Sequence, residues 1–507
     1  MALKRQLYLW HRWLGVALCL FMALWFFSGM VMLFVGYPKL TPEEHFARLP
    51  ALSANACCVG PGQAIQSAGA DPTALRLTTI AGLPRYVLDY ADGKRVAVDA
   101  RNGQRIAPVD ASLALASALQ FAQVPSRYAG IIDEDAWTRS RSLDRDRPLH
   151  VVRLDEPQAR QLYISGQTGA VVRDASRTER GWNWVGSWLH WLYPFRDNPW
   201  WAQIVIYLSL AATLMALLGQ VIGILRWRFS KPYRSGSRSP YQSFSSRWHH
   251  IGGLLFGTLA IAWIFSGLMS MRPWGLFDSP QRLDVSSYRK VRFDASSDQQ
   301  PIADTLARFR ASGFEPVELQ WQIVGERIYR VAFDRSGNSR ILPQSQGAQV
   351  LAQLPSITLE KAARAIRPQD VLEVEWLDRY DFYYFKRAEQ SMYGADRKPL
   401  PVVRIRFQDS ASTWLHLDPY TGALIEQLDE RQRAVRWVFN LLHSWDWLPL
   451  LERPRLREAL IILFSLGGLL ISLTGIVLAW RRLSPRKKAA ANTAVARAVS
   501  TTQSKLQ

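Results

Sequence analysis

The stretch that decides the fold occurs twice. Residues 10–15 are Trp-His-Arg-Trp-Leu-Gly, and residues 248–253 are Trp-His-His-Ile-Gly-Gly. Each stretch opens an apolar run that later contains Phe-Ser-Gly, at residues 27–29 and 265–267. His11 and His249 are 238 residues apart, and the two Phe-Ser-Gly triplets have the same offset. Similarity at a constant offset indicates an internal duplication.

Four apolar runs, about Trp13–Tyr37, Trp200–Leu225, Ile251–Met271 and Ala459–Trp480, contain no charged residue. Each is long enough to cross about 30 Å of hydrocarbon. No small-residue cleavage site follows the first run, which therefore predicts a signal anchor. The predicted division is a first segment with a transmembrane helix (1–37), an outer domain (38–199), a second helix (200–226), a basic loop (227–248), a third helix (249–271), a second outer domain (272–458), a fourth helix (459–480) and a basic tail (481–507).

The position of the charge predicts the orientation. The 507 residues carry a formal net charge of +20, which by itself would suggest a nucleic-acid binder. Sixteen of the 62 lysines and arginines, however, lie in the N-terminal segment, the 226–247 loop and the tail, where there is no Asp or Glu. The positive-inside rule places these segments in the cytoplasm and the two outer domains in the periplasm of a bacterial inner membrane. The expected counter-charge is the lipid bilayer, and no nucleic acid is expected.

The second and fourth runs repeat as well, because Trp227 and Trp480 are 253 residues apart, as are His190 and His443. We therefore expect two copies of a unit made of a helix, an outer domain and a helix, related by a pseudo-two-fold axis. Each outer domain combines helical stretches with hairpins, and four strand ends are followed by a glycine at a turn. The predicted fold class is a membrane protein with four transmembrane helices and periplasmic α+β domains, two modules in each. The predicted helices are at about 62–69, 111–123, 300–312 and 358–367.

Four of the eight histidines form equivalent pairs. His11 pairs with His249 on the cytoplasmic side, and His190 pairs with His443 on the outer side. Ionisable groups near lipid usually face the bundle interior and have a partner. Two imidazoles converging on an axis could hold the iron of a b-type haem from both faces. Because there are two such histidine pairs, we expect two haems b. The other interpretation is that these histidines form ordinary interfacial hydrogen bonds.

Glycines favour His249 over its neighbour. Gly15 and Gly253 lie four residues after His11 and His249, on the same helix face, where they would leave room for a flat macrocycle. His250 instead has a leucine, Leu254, four residues later, so it is considered only as a substitute for His249. The glycines could equally serve close helix packing.

The remaining candidates are less specific. His45, His150 and His416 have no equivalent histidine in the other copy, and structural roles are expected for them. Cys57 and Cys58 could be a redox pair, a metal-capture pair or a vicinal disulfide.

Together these motifs resemble the PepSY-associated transmembrane family. The resemblance of the helices rests on the His-Arg-Trp-Leu-Gly and Trp-His-His-Ile-Gly-Gly openings and on Phe-Ser-Gly in both runs. In the outer part, Tyr-Thr-Gly-Ala-Leu at 420–424 is similar to the end of a PepSY module. The resemblance extends to iron-regulated inner-membrane proteins similar to di-haem siderophore reductases. It implies electron transfer from a quinol or a cytoplasmic reductase to a periplasmic ferric siderophore or another iron chelate. The alternative is a non-enzymatic membrane protein, either a permease component or a periplasmic peptidase regulator or sensor.

Overall fold

The computed structural model describes residues 2–53, 57–279, 283–345, 347–391, 394 and 396–484. It divides into two compact units. The helix unit contains the residues up to Met30, Leu189–Pro273 and the residues from Arg453; the sheet unit contains Val31–Trp188 and Trp274–Glu452. Most of the predicted basic tail, from Pro485 onwards, lies outside the described residues.

The helices are, in chain order, α1 Ala2–Met32, α2 Pro42–Ala47, α3 Pro61–Ala68, α4 Ala111–Ala122, α5 Arg177–Asn183, α6 Trp201–Arg226, α7 Phe244–Ser270, α8 Ile302–Ala311, α9 Ser356–Arg364, α10 Glu430–Val435, α11 Leu442–Ser444, α12 Leu448–Leu451 and α13 Pro454–Leu483. Two π-helical turns, Trp184–Trp188 and Arg436–Leu441, continue α5 and α10. Each turn ends two residues before a histidine, His190 or His443.

Among the described residues, α1, α6, α7 and α13 are the helices long and apolar enough to cross a membrane. In the helix unit α7 packs against both α6 and α13. Glycines permit close approach, since the rings of Phe256 and Phe26 lie where a side chain at Gly467 or Gly468 would project. Leucines such as Leu255 and Leu463 remain exposed, as expected for a lipid-facing surface.

The helices α1, α7 and α13 begin several residues before the predicted apolar runs. α7 begins at Phe244 and α13 at Pro454, because polar residues outside the hydrocarbon can continue a helix once it has formed. The first helix instead ends at Met32, five residues before the predicted limit at Tyr37. Pro38 disfavours a helical conformation in the residue before it, and the Tyr37 hydroxyl donates to the Ala136 carbonyl within the sheet unit at 2.7 Å.

The strands are β1 Ala74–Ile80, β2 Leu83–Asp89, β3 Arg95–Asp99, β4 Ser126–Ile132, β5 Leu149–Leu154, β6 Gln161–Ser165, β7 Val171–Ala175, β8 Glu318–Val324, β9 Arg327–Phe333, β10 Ser339–Pro343, β11 Val371–Leu377, β12 Val402–Phe407, β13 Trp414–Leu417 and β14 Leu424–Leu428. They form a six-stranded sheet of order β10-β9-β8-β1-β2-β3 and two antiparallel four-stranded sheets, β4–β7 and β11–β14. The four predicted turn glycines, Gly103, Gly169, Gly347 and Gly422, all have φ between 74° and 76°.

The six-stranded sheet joins parts of the chain that the sequence analysis assigned to separate outer domains. β1 pairs antiparallel with β8, with Leu77 opposite Leu319. Leu75, Leu77 and Leu319 are buried in one core beneath α3 and α8. The sheet unit thus contains four helix-and-strand groups, and two of them share one sheet.

Candidate functional site

His11 and His249 come together in the helix unit. Each lies inside its helix, because α1 and α7 extend past the apolar runs toward their N-terminal ends. Their ring centroids are 6.3 Å apart, with 41° between the ring planes. The sequence analysis paired these residues from their offset alone, and the structure places them side by side.

Each of the two imidazoles makes the same kind of backbone contact. His11 Nδ1 lies 3.0 Å from the Met215 carbonyl oxygen on α6, and His249 Nδ1 lies 3.0 Å from the Ile471 carbonyl oxygen on α13. A carbonyl can only accept, so Nδ1 carries the proton in both rings and Nε2 is left with its lone pair. In the described part of the chain, neither Nε2 has a hydrogen-bond partner. A histidine held in this way is typical of a metal ligand, since the bond at one nitrogen fixes the tautomer and orientation of the other.

Two glycines allow the imidazoles to approach the neighbouring helices. A Cβ atom at Gly219 would lie 2.6 Å from Cε1 of His11, and one at Gly475 would lie 3.5 Å from Cε1 of His249. Each glycine comes four residues after the accepting carbonyl, so both contacts lie on one helix face. The sequence pattern did not predict a role for these two glycines. The repeat offset of 253 aligns Gly219 with Ser472, whereas the structure matches Gly219 with Gly475, nearly one helical turn later.

The predicted macrocycle glycines, Gly15 and Gly253, face open space. A Cβ atom added at either position would meet no described atom within 4 Å. That room is on the same helix faces as His11 and His249, where the sequence analysis expected it.

His250 has a different environment. It is 7% exposed, its Nδ1 lies 2.8 Å from Ser239 Oγ, and its Nε2 lies 2.9 Å from the Gly223 carbonyl oxygen. Because both ring nitrogens are engaged, His250 has no lone pair to offer without breaking a bond. This geometry favours His249 over His250 as the ligand.

His190, predicted as an outer ligand, also belongs to the helix unit. Its Nδ1 lies 3.0 Å from Ser28 Oγ, and Ser28 Oγ lies 3.2 Å from the Trp25 carbonyl oxygen, to which it can donate. Ser28 belongs to the Phe-Ser-Gly triplet, and Trp25 Nε1 donates to the His190 carbonyl at 3.0 Å. His443 belongs to the sheet unit, where its ring stacks on Phe439 at 5.0 Å. The pairing of His190 with His443 stays a prediction.

The other histidines are in the sheet unit and have side-chain partners. His45 Nε2 lies 3.0 Å from Glu318, and His150 Nδ1 lies 2.9 Å from the Tyr128 hydroxyl. Buried His416 accepts from Arg404 Nε at 2.8 Å and faces Glu426 at 3.0 Å.

Cys57 and Cys58 form a vicinal disulfide packed against the core beneath α3 and α8. Nowhere in the described ranges do three or more His, Cys, Asp or Glu side chains gather as a site for a free metal ion. The disulfide is the one of the three interpretations of this pair that the structure contains.

The site and fold define a membrane protein with a histidine pair among its helices, and a comparison of sequences assigns its family. The family described as the PepSY-associated TM region matches residues 8–320, which is more than half of the chain. The chain therefore belongs to this family, as its motifs suggested. No curated protein matches the sequence.

Proposed function

We propose that this protein is a haem-carrying reductase of the bacterial inner membrane. It would pass electrons from a cytoplasmic reductase or a quinol to a ferric siderophore, or another iron chelate, in the periplasm. The observation that carries the proposal is the pair His11 and His249, each with Nδ1 on a backbone carbonyl and Nε2 unengaged.

The spacing of the pair fits one iron between two imidazoles. A metal–imidazole bond of about 2.0–2.1 Å on each side, together with the two ring radii, separates the ring centroids by roughly 6 Å. The observed separation of 6.3 Å agrees with that distance. Two protein ligands are sufficient, because a porphyrin supplies the other four. The open space beside Gly15 and Gly253 is where a flat macrocycle can lie.

A haem with two histidine ligands supplies one-electron transfer and has no open coordination position for oxygen. His11 and His249 would hold it, and the carbonyls of Met215 and Ile471 would fix the orientation of the rings. Buried apolar residues of the same unit, including Leu18 and Met22, would exclude water and thereby tune the potential.

The direction and the substrate come from the charge pattern and the family resemblance. The basic segments favour cytoplasmic termini, and hence a periplasmic location for the regions between α1 and α6 and between α7 and α13. Hard oxygen ligands hold Fe(III) tightly and Fe(II) weakly, so one electron delivered to the chelate would release its iron.

A visible absorption spectrum tests the proposal. Full-length protein purified from haem-replete cells should show a Soret band, and dithionite should sharpen the α and β bands. The reduced protein should then be reoxidised by a ferric siderophore, with formation of Fe(II) that a ferrous chelator captures. A colourless preparation would contradict the proposal and favour the non-enzymatic alternative. A coloured preparation that ferric chelates do not reoxidise would retain the haem and reject the reductase activity.

A further inference from the structure

Both helices that accept an imidazole carry an arginine at the same place. Gly219 on α6 and Gly475 on α13, which lie against the two imidazole rings, are 256 residues apart. Arg226 and Arg482 have the same separation, so each arginine comes seven residues after its glycine. Seven residues are about two turns, or about 10 Å along the axis, so each arginine lies on the helix face that contacts a histidine. The register that places the two imidazoles therefore also places two guanidinium groups.

Arg226 is held beside the helix that carries His11. Its guanidinium lies over the ring of Tyr8, 4.9 Å from the ring centre. Tyr8 comes three residues before His11 on α1, nearly one turn toward the N-terminal end. This is the polar side of the histidine pair, because the uncharged run of α1 begins only after His11, at Trp13. Arg226 and Arg482 both lie in the last turn of their helices.

These two arginines have no carboxylate partner inside the helix unit. Its described residues contain two acidic side chains, Asp197 and Glu458, and both lie near the N-terminal ends of α6 and α13, away from the arginines. A cation at a helix C-terminus is favourable by itself. That preference would be met equally by Arg481, whose side chain projects about 100° away from that of Arg482. It therefore does not account for the shared register of the arginines and the glycines.

Haem b carries two propionate carboxylates on one edge of its ring, and a carboxylate inside the hydrocarbon is costly. A propionate edge is therefore expected at the polar end of the histidine pair. We infer that Arg226 and Arg482 bind these propionates, one each. A guanidinium matches a carboxylate with two parallel charge-assisted hydrogen bonds. The inference rests on the proposed function, because it needs the haem, and it adds the residues that fix the orientation of the ring and balance its charge.

A redox titration of the full-length protein, purified with its haem, tests the inference. Arg226→Gln or Arg482→Gln leaves a propionate without its counter-charge, which favours the ferric state. Each change should lower the midpoint potential by shifting the one-electron equilibrium about tenfold, or about 59 mV. Arg226→Lys and Arg482→Lys keep the charge and should restore most of the potential.

The matched controls are Arg228→Gln and Arg481→Gln. They remove the same charge from the same two helix ends, but these arginines are 253 residues apart and lie outside the register of the two glycines. Arg228 lies over the ring of Tyr233, 4.2 Å from its centre, and not over that of Tyr8. Both control variants should keep the wild-type potential.

A second arm separates propionate binding from a general effect of charge. The apoprotein is reconstituted with haem b or with its dimethyl ester, which keeps the iron and the ring but has no carboxylate. Arg226→Gln and Arg482→Gln should each speed the transfer of haem b to apomyoglobin about tenfold, because a hydrogen bond to a charged group is lost. Both variants should release the ester at the wild-type rate.

Three results would overturn the inference while leaving the haem and its histidine ligands in place. They are an unchanged potential in Arg226→Gln and Arg482→Gln, an equal shift in the matched controls, and an equal acceleration of release for haem b and its ester. A wild-type protein that contains no haem would instead overturn the proposed function, and this inference with it. The two failures are therefore distinguishable.

Discussion

His11 and His249 in the helix unit are held differently from His416 in the sheet unit. In the helix unit, His11 and His249 bond through Nδ1 to backbone carbonyls and leave Nε2 unengaged. In the sheet unit, His416 is fully buried, accepts from Arg404 at one nitrogen and faces Glu426 with the other. An imidazole held at Nδ1 by a backbone carbonyl keeps a lone pair at Nε2, whereas the His416 ring lies between a guanidinium and a carboxylate. The contrast between these residues therefore lies in what contacts the second ring nitrogen.

The largest expected effect comes from removing the helix-unit pair. His11→Ala and His249→Ala should each abolish one haem per chain, because a single imidazole cannot hold the iron from both faces. The pyridine haemochrome content per folded chain measures this. His250→Ala, which removes the adjacent buried imidazole, is the matched control and should keep the full content. If only His250→Ala lost haem, the assignment of His249 would be wrong.

The second test compares the two halves of that pair. Gly219→Ala places a Cβ atom 2.6 Å from the His11 ring, so the ring must shift, whereas Gly475→Ala makes an ordinary contact of 3.5 Å with the His249 ring. We expect Gly219→Ala to lower haem content severalfold and Gly475→Ala to leave it near the wild-type value. Soret absorbance per folded chain distinguishes them, and equal losses would contradict the geometric argument.

The third test concerns the sheet unit. His416→Ala leaves Arg404 and Glu426 without their shared partner, and an unsatisfied buried polar group costs about 1–3 kcal/mol. We expect a fall of a few degrees in Tm with unchanged haem per folded chain. His150→Ala removes a buried imidazole with one side-chain bond, to the Tyr128 hydroxyl, and should cost less. A loss of haem in His416→Ala would break the contrast between the two units.

The helices and the inner pair could be predicted because their signals are local or repeated. An uncharged apolar run indicates a membrane helix by its length, and His11 and His249 share both an offset and a following glycine. The roles of Gly219 and the Met215 carbonyl could not be predicted, because they depend on how α1 packs against α6. A backbone carbonyl has no sequence signature. The repeat offset of 253 also aligned α6 with α13 nearly one helical turn away from their match in the structure.

The joined sheet was unpredictable for a related reason. β1 and β8, which the sequence analysis did not predict, alternate apolar and polar residues, and each has a hairpin partner nearby. Nothing in either strand specifies that their free edges pair across more than 200 residues of intervening chain.

The smallest expected effect concerns a titratable group that serves neither ligand binding nor a closed network. Burial, followed by the charges of Glu44 and Glu179, raises the pKa of Asp174 from 3.8 to about 7, although Arg160 and Arg48 oppose the shift. Between about pH 4 and 7 the folded state therefore keeps a proton that the unfolded state loses, so the contribution of Asp174 to stability is greatest below about pH 4 and is lost as the pH rises through about 7. Asp174→Asn should raise Tm above pH 7, and the gain should shrink as the pH falls and vanish below about pH 4. Thermal unfolding of both proteins across this range measures it, and haem per folded chain should not change. A gain independent of pH would show that the asparagine acts through packing and not through the buried charge.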